Sequence, residues 1–199
     1  MIRAVIVDFG GVIIHIHYDR FFRTLARHSS LSPVALKKRY FSFLFANKLQ
    51  CGKETLREVY NRLVREICLT MSYTQFERCW LTIPGKQISS TVRILHQLQK
   101  NYPLYVLSNM EAFVYPHIRK NIPPIFTRLF FSYEIGLAKP DMQAFRSVCR
   151  SIRCTPSECL FIDDLRLNVQ AARAYGMQAI KYTQGIDLGA RLRRFGVHI

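Results

Sequence analysis

The stretch that decides the fold is Val5-Ile6-Val7-Asp8-Phe9-Gly10-Gly11-Val12. Its β-branched run predicts a buried strand that ends on a carboxylate followed by two glycines. Ligands bind at the carboxyl ends of strands in open α/β sheets, and glycines let a ligand or metal approach the backbone. A buried carboxylate also needs a charged partner or a metal. The stretch is therefore a candidate active-site strand, with an ordinary Asp-initiated turn as the alternative.

The rest of the chain alternates short apolar runs with helical patterns. Further strands are predicted at 103–107, 129–132, 159–162 and 179–182, and helices between them at 144–152 and 168–175. This alternation predicts an α/β fold: a Rossmann-like, mostly parallel sheet with helices on both faces.

A long helical block separates the first strand from the second and is too long for one crossover. We therefore predict an α-helical cap subdomain at 15–86, inserted into an α/β core domain formed by 1–14 and 87–199. Ser32-Pro33 and the pair Ser72 and Gln75 predict helix starts within the block. Residues 10–17 are predicted to be irregular, and Pro84-Gly85 is predicted to break the helical pattern.

Composition and charge limit the classes of function. Hydrophobic residues make up 49% of the 199 residues, which favours a packed core over disorder. The sequence predicts no leader peptide and no apolar run near the roughly 18 residues of a membrane span, so we expect a cytoplasmic protein without membrane partners. The six cysteines form no Cys-x-x-Cys pair and favour reduced thiols.

The net charge of +16 favours an anionic ligand. We expect a small anionic metabolite rather than a nucleic acid, because no recognisable nucleic-acid motif is present. The run Lys37-Lys38-Arg39, followed by Tyr40, Phe41, Phe43 and Phe45, could also bind nucleic acid or an acidic protein, but at helical spacing its aromatics favour the core of the cap. The sequence does not indicate whether the protein is a monomer or an oligomer.

Four segments present polar groups at or near strand ends: Asp8, Ser108-Asn109, Lys139, and Asp163-Asp164. Three crowded carboxylates repel one another unless a cation lies among them, and an all-oxygen site suits Mg²⁺. Ser108, Asn109 and Lys139 can bind phosphate oxygens. Each segment alone could instead be a turn, a surface loop or a helix cap. Their joint occurrence predicts a phosphoryl-transfer site.

The order of these motifs resembles that of the haloacid dehalogenase superfamily of hydrolases. The four motifs are Ile6-Val7-Asp8-Phe9-Gly10-Gly11-Val12, Val106-Leu107-Ser108-Asn109, Gly136-Leu137-Ala138-Lys139-Pro140-Asp141, and Phe161-Ile162-Asp163-Asp164 with Asn168. Within the superfamily the chain is most similar to the subgroup that holds α-D-glucose-1-phosphate phosphatase and the phosphatase domain of soluble epoxide hydrolases.

The resemblance implies a role for each motif residue. Asp8 would attack phosphorus and form an aspartyl-phosphate, while Ser108, Asn109 and Lys139 hold the phosphoryl group. Mg²⁺ would be held by Asp8, the carbonyl of Gly10 and Asp164, with Asp163 helping directly or through water.

One position departs from most phosphatases of the superfamily, which carry a second Asp two residues after the nucleophile as the acid and base. Gly10 stands there in this chain, as in the glucose-1-phosphate phosphatase subgroup. His15 and His17 lie close by in sequence and titrate near neutral pH, so either could substitute; the alternative is that they only line the cap hinge.

The sequence therefore predicts a magnesium-dependent phosphatase that acts on a small phosphorylated metabolite, possibly a sugar phosphate. Two alternatives stay open. One is a haloacid-dehalogenase-type hydrolase, which the resemblance implies would need no magnesium. The other is a non-catalytic or regulatory binding protein on the same fold, since fold alone does not secure function.

Overall fold

The computed structural model describes residues 1–42 and 45–199, with side chains at 1–40 and 48–199. Its strands are β1 Ala4–Val7, β2 Ile14–Ile16, β3 Pro84–Gln87, β4 Leu104–Ser108, β5 Arg128–Phe131, β6 Cys159–Asp163 and β7 Gln178–Lys181. Five of them form one sheet in the order β5-β4-β1-β6-β7, and every pair in that sheet is parallel.

The helices surround this sheet and fill the segment between β2 and β3. They are α1 Tyr18–Ala26, α2 Pro33–Ser42, α3 Phe45–Gln50, α4 Leu56–Ile67, α5 Tyr73–Trp80, α6 Ser89–Leu98, α7 Tyr115–Ile118, α8 Ser132–Ile135, α9 Met142–Ile152, α10 Arg166–Ala174 and α11 Leu188–Arg193. Short 3₁₀ turns lie at Arg119–Asn121 and Pro156–Glu158. We call α1–α5 the helical insert.

The two faces of the large sheet are both buried. Along β1, Val5 and Val7 belong to one apolar cluster and Ala4 and Ile6 to another, as the two-residue period of a strand requires. Helices α6 and α11 contribute to the first cluster, and α9 and α10 to the second. The first cluster continues into the helical insert through residues such as Trp80. This arrangement confirms the predicted α/β class, with a parallel sheet and helices on both faces.

The connections to the helical insert form a two-stranded antiparallel ribbon, in which β2 pairs with β3. The prediction of irregular chain at 14–16 is therefore wrong, whereas Pro84-Gly85 does interrupt the helical pattern, as the first two residues of a strand. Ile14 and Ile16 turn toward the apolar core, whereas His15 and His17 alternate with them. Pro84 is compatible with the ribbon because it is the first residue of its strand.

Two helices of the helical insert begin where the sequence predicts. Helix α2 begins at Pro33, and the Ser72–Gln75 capping box is present at the start of α5. Tyr40 is buried against Trp80, as expected for the core of a cap. The companion expectation for Phe41, Phe43 and Phe45 lies outside the described side chains. Among residues 1–42 and 45–199, no helix is both long and apolar enough to cross a membrane.

Candidate active site

Polar side chains meet at the carboxyl edge of the large sheet. Asp8 follows β1, Ser108 closes β4, and Asp163 closes β6 with Asp164 directly after it. These three strands are neighbours in the sheet, so their ends lie side by side. Lys139 joins them from the loop between α8 and α9. The structure thus brings together segments that lie as much as 156 residues apart.

Lys139 links two of the carboxylates. Its Nζ lies 2.8 Å from Asp8 Oδ1 and 2.7 Å from Asp163 Oδ2, and its side chain is 1% exposed. Burial disfavours the ammonium, but the Asp163 and Asp8 carboxylates outweigh burial and raise the pKa of Lys139. The side chain therefore supplies one full positive charge beside Asp8.

Asp8 is held in one orientation by contacts to a single oxygen. Its Oδ1 accepts hydrogen bonds from the Phe9 N–H at 2.7 Å and from Lys139. Its Oδ2 accepts no hydrogen bond from a residue in the described part of the chain. Burial raises the pKa of Asp8, the Lys139 charge opposes this, and the nearby Asp163 and Asp164 charges add to it. One carboxylate oxygen is thus anchored and the other is available for chemistry.

Asn109 fixes the loop that carries Lys139. Its Nδ2 donates to the Lys139 carbonyl and its Oδ1 accepts from the Lys139 N–H, both at 2.8 Å. This reciprocal pair stabilises the loop at the edge of the sheet. The side-chain amide of Asn109 is engaged by this pair, and its predicted contact with phosphate stays a prediction.

The two acids after β6 have different surroundings. Asp163 is fully buried and accepts hydrogen bonds from Lys139, from the Leu165 N–H at 2.7 Å, and from Asn168 Nδ2 at 3.0 and 3.1 Å. Asp164 is partly buried and lies against Gly11. A Cβ added at Gly11 would lie 2.2 Å from Asp164 Oδ2. The carboxylate of Asp163 is therefore fully engaged by hydrogen-bond donors. Asp164 can occupy its position only because Gly11 has no side chain.

This carboxylate cluster has the character of a cation site. Oxygens of Asp8, Asp163 and Asp164 all lie within 4.8 Å of one another, and the one ammonium in contact with them contacts only two. Burial raises the pKa of Asp164 to about 6, and the charge of Asp163 adds to the effect. A divalent cation would offset the remaining negative charge, and carboxylate oxygens are ligands that Mg²⁺ prefers. The donor set fits Mg²⁺.

A cavity of about 790 Å³ extends from this cluster toward the helical insert. On the core side it is lined by Asp8, Gly10, Ser108, Asn109, Lys139 and Asp164. From the helical insert it is lined by Tyr18, Lys37, Tyr40, Gln50 and Trp80. The half-buried His15 also lines it, whereas His17 is exposed and is not among the lining residues. A substrate in the cavity would contact both parts of the chain.

Glu111 is a cavity residue that the sequence analysis missed. It is buried, at 7% exposure, and its Oε1 accepts a hydrogen bond from Gln50 Nε2 at 3.3 Å. Burial raises the pKa of Glu111 to about 7, while hydrogen bonds from its own backbone and from Gln50 oppose the shift. The sequence offers only a lone acid between Ser108-Asn109 and an apolar turn, and this pattern does not indicate a cavity residue.

Comparison with known proteins identifies relatives over almost the whole chain. The family model for haloacid dehalogenase-like hydrolases matches residues 2–176. A D-ribitol-5-phosphate phosphatase from Bacteroides thetaiotaomicron is 26% identical over 198 residues, covering 94% of this chain and 95% of that protein. A phosphoglycolate phosphatase from Pseudomonas putida is 29% identical over 119 residues, covering 59% of this chain and 43% of that protein.

Solved structures agree on the fold. A haloacid dehalogenase family enzyme from Bacteroides thetaiotaomicron, crystallised with magnesium and inorganic phosphate, superposes with a TM-score of 0.80 at 22% identity, covering 97% of this chain and all of that one. The family predicted from the four motifs is confirmed, and the named relatives agree with the predicted phosphatase class. The chain belongs to the haloacid dehalogenase-like hydrolases.

Proposed function

We propose that this protein is a magnesium-dependent phosphatase that hydrolyses a small phosphorylated metabolite through an aspartyl-phosphate on Asp8. The observation that carries the proposal is the state of Asp8, with Oδ1 anchored by Lys139 and Phe9 and Oδ2 left available. Oδ2 is the nucleophile in this proposal. A sugar or polyol phosphate is the favoured substrate class, in agreement with the name of the ribitol-phosphate relative.

The residues around Asp8 divide the work of phosphoryl transfer. Lys139 offsets negative charge on the phosphoryl group, and Ser108 donates a hydrogen bond to one of its oxygens. Asn109 holds the backbone of Lys139, and Asp163 holds its ammonium. Oδ2 of Asp8 attacks phosphorus in line, the ester oxygen leaves, and water then cleaves the aspartyl-phosphate to release inorganic phosphate.

Mg²⁺ would be held by Asp8, Asp164 and the Gly10 carbonyl, with Asp163 contributing directly or through water. The bound ion would neutralise the crowded carboxylates and the charge that develops on the phosphoryl oxygens. The clustering of the three carboxylates supports this assignment.

The helical insert supplies the rest of the substrate site in our proposal. We assign residues 15–86 to the cap and 1–14 with 87–199 to the core, because the β2–β3 ribbon lies at both ends of this segment. The cap residues that line the cavity would contact the part of the substrate beyond the phosphate. The role of His15 and His17 as an acid or as hinge residues stays a prediction.

The test is hydrolysis of p-nitrophenyl phosphate by the purified protein, with and without Mg²⁺, beside the variant Asp8→Asn. This aryl ester has a good leaving group and demands little from an acid, so it tests the nucleophile alone. We expect turnover that requires Mg²⁺ and falls by at least about 10³-fold in Asp8→Asn, the loss typical of removing a nucleophile.

Other outcomes separate the alternatives. Mg²⁺ binding without turnover would contradict the phosphatase and favour a regulatory binding protein. Halide release from a 2-haloacid without Mg²⁺ would favour a dehalogenase. We propose the cytoplasm as the location, which the six free cysteines support.

A further inference from the structure

The phosphatase lacks an acid at Gly10, so the leaving oxygen needs a proton donor elsewhere in the cavity. Beyond Asp8 and Asp164, Glu111 is the one carboxyl group among the described residues that line the cavity. It lies three residues after Ser108, which is the last residue of β4 and one of the proposed phosphoryl-binding residues. A carboxyl group from this segment therefore borders the same space as the reacting oxygen of Asp8.

The surroundings of Glu111 hold it at the boundary between the core and the helical insert. Gln50, the last residue of α3, donates its Nε2–H to Glu111 Oε1. The Gln50 carbonyl in turn accepts from Ser132 Oγ at 2.6 Å, and that hydroxyl accepts from the Met110 N–H at 2.9 Å. The segment from 110 to 111 is thus tied to both sides of the cavity, which fixes the carboxyl group in place.

A second observation connects Glu111 with the reacting carboxylates. Burial raises the pKa of Tyr18, and the charges of Glu111, Asp8 and Asp164 add to the shift. The phenol therefore lies within electrostatic reach of all three groups, although they come from three different segments. Tyr18, Glu111, Asp8 and Asp164 all line the same cavity.

The protonation state of Glu111 suits proton transfer. Burial raises its pKa to about 7, so protonated and ionised forms both exist near neutral pH. An acid whose pKa is close to the working pH is the most effective donor and acceptor.

We infer that Glu111 is the general acid and base of this enzyme, acting in place of the side chain that Gly10 lacks. In the first step Asp8 Oδ2 forms a bond to phosphorus, the P–O bond to the leaving group breaks, and the leaving oxygen takes the carboxyl proton of Glu111. In the second step water bonds to phosphorus, the bond to Asp8 breaks, and Glu111 takes back a proton from that water. The products are an alcohol and inorganic phosphate, and Glu111 ends as it began. This inference rests on the proposed phosphatase activity.

The test compares two leaving groups in one protein preparation. One substrate is p-nitrophenyl phosphate, and the other is the alkyl phosphate that the wild type hydrolyses best among a panel of sugar and polyol phosphates. We expect Glu111→Gln to lower kcat/KM on the alkyl ester by about 10²-fold or more and on the aryl ester by less than about threefold, because only the alkoxide needs the proton. This constant reports the steps up to formation of the aspartyl-phosphate, whereas kcat also includes its hydrolysis, in which Glu111 is the base for both esters. The ratio of the two rates does not depend on the fraction of folded protein.

Glu134→Gln is the matched control, since Glu134 is an exposed carboxylate on α8 that is not among the residues lining the cavity. It should leave the alkyl-to-aryl ratio at the wild-type value. An equal loss of kcat/KM on both esters in Glu111→Gln, or no loss on either, would overturn the inference. A ratio shifted equally in Glu134→Gln would overturn it too, as would a wild type active on the aryl ester only. A wild type inactive on both esters would instead contradict the proposed phosphatase.

Discussion

Gly11 shows how one missing side chain makes room for an acid of the candidate metal site. Its φ is +77°, in the left-handed region that favours glycine, and a Cβ there would collide with Asp164 Oδ2 at 2.2 Å. The glycine therefore meets two demands at once: it allows the turn after β1, and it makes room for the carboxylate after β6.

The substitution Gly11→Ala tests both the backbone conformation and the space for Asp164, and a control variant separates the two effects. It should cost roughly 1–2 kcal/mol in stability through the left-handed backbone alone and weaken Mg²⁺ binding about 10-fold or more through displacement of Asp164. Gly196→Ala is the control, because Gly196 has φ +69° with nothing within 4 Å of an added Cβ. Calorimetric Mg²⁺ titration and urea unfolding of both variants measure the two effects. Equal Mg²⁺ affinity in the two variants would contradict the assignment of Asp164 to the metal site.

The motif residues at strand ends were predictable from sequence, whereas Glu111 was not. Asp8, Ser108 and Asp163 each follow a recognisable apolar run, and parallel strands bring such ends together. Glu111 lies three residues beyond its strand, and only the packing of Gln50 from a distant helix shows that it faces the cavity. Neighbours of this kind cannot be read from local patterns, because they depend on how α3 lies against the core.

At the scale of the elements, three capped turns followed directly from sequence. The capping boxes at Ser72 and Thr155 and the cap at Asp187 lie where their residue types predict. The β2–β3 ribbon was missed because each strand is only three or four residues long and pairs with chain about 70 residues away. The local sequence pattern gives little indication of a pairing between strands that are so short and so far apart in the chain.

Two capping boxes in the helical insert allow a matched test of how much a charged cap contributes to the stability of the fold. In α4, Thr55 Oγ1 accepts from the Glu58 N–H, and Glu58 accepts from the Thr55 N–H at 2.7 Å and from its hydroxyl at 2.8 Å. In α5, Ser72 and the neutral Gln75 form the same box. The hydrogen bonds from the Thr55 backbone and side chain lower the pKa of Glu58.

Thr55→Ala and Ser72→Ala should each lower Tm by roughly 2–4 °C at pH 7. A depressed carboxyl pKa stabilises the folded state above the unfolded pKa and loses that effect as the pH falls through the folded pKa. The Thr55→Ala deficit should therefore shrink as the pH falls below the ordinary range of Glu58, while the Ser72→Ala deficit stays constant. Thermal unfolding from pH 7 to pH 3 checks this, and parallel curves for the two variants would rule out a charge contribution.

At the scale of the whole molecule, the net charge of +16 matters most where substrate enters. Lys37, Lys139 and Lys181 line the cavity, and cavity walls of low dielectric concentrate the field of such charges. A phosphorylated metabolite would be drawn toward the carboxyl edge of the sheet before it contacts any residue there.

Ionic strength should therefore affect the association of substrate more than the chemical step. Raising it from about 0.01 M to about 0.1 M shortens the screening length from about 30 Å to about 10 Å, so kcat/KM should fall several-fold while kcat changes little. Initial rates at constant free Mg²⁺ measure both constants. Lys37→Gln should flatten this salt dependence more than Arg150→Gln, whose exposed side chain on α9 lies outside the cavity lining. A kcat/KM that does not respond to salt would contradict electrostatic capture.

The central position of β1 also constrains the order in which the molecule can assemble during its synthesis. Val5 pairs with Leu104 on one side and with Leu160 on the other. The segment that carries Asp8 is made before either neighbour, and Leu160 follows Val5 by 155 residues. Until Leu160 is made, the helical insert can form its local contacts, but Asp8 has no completed site around it. The candidate site is thus completed by strands that are made after the helical insert, although Asp8 is made before it.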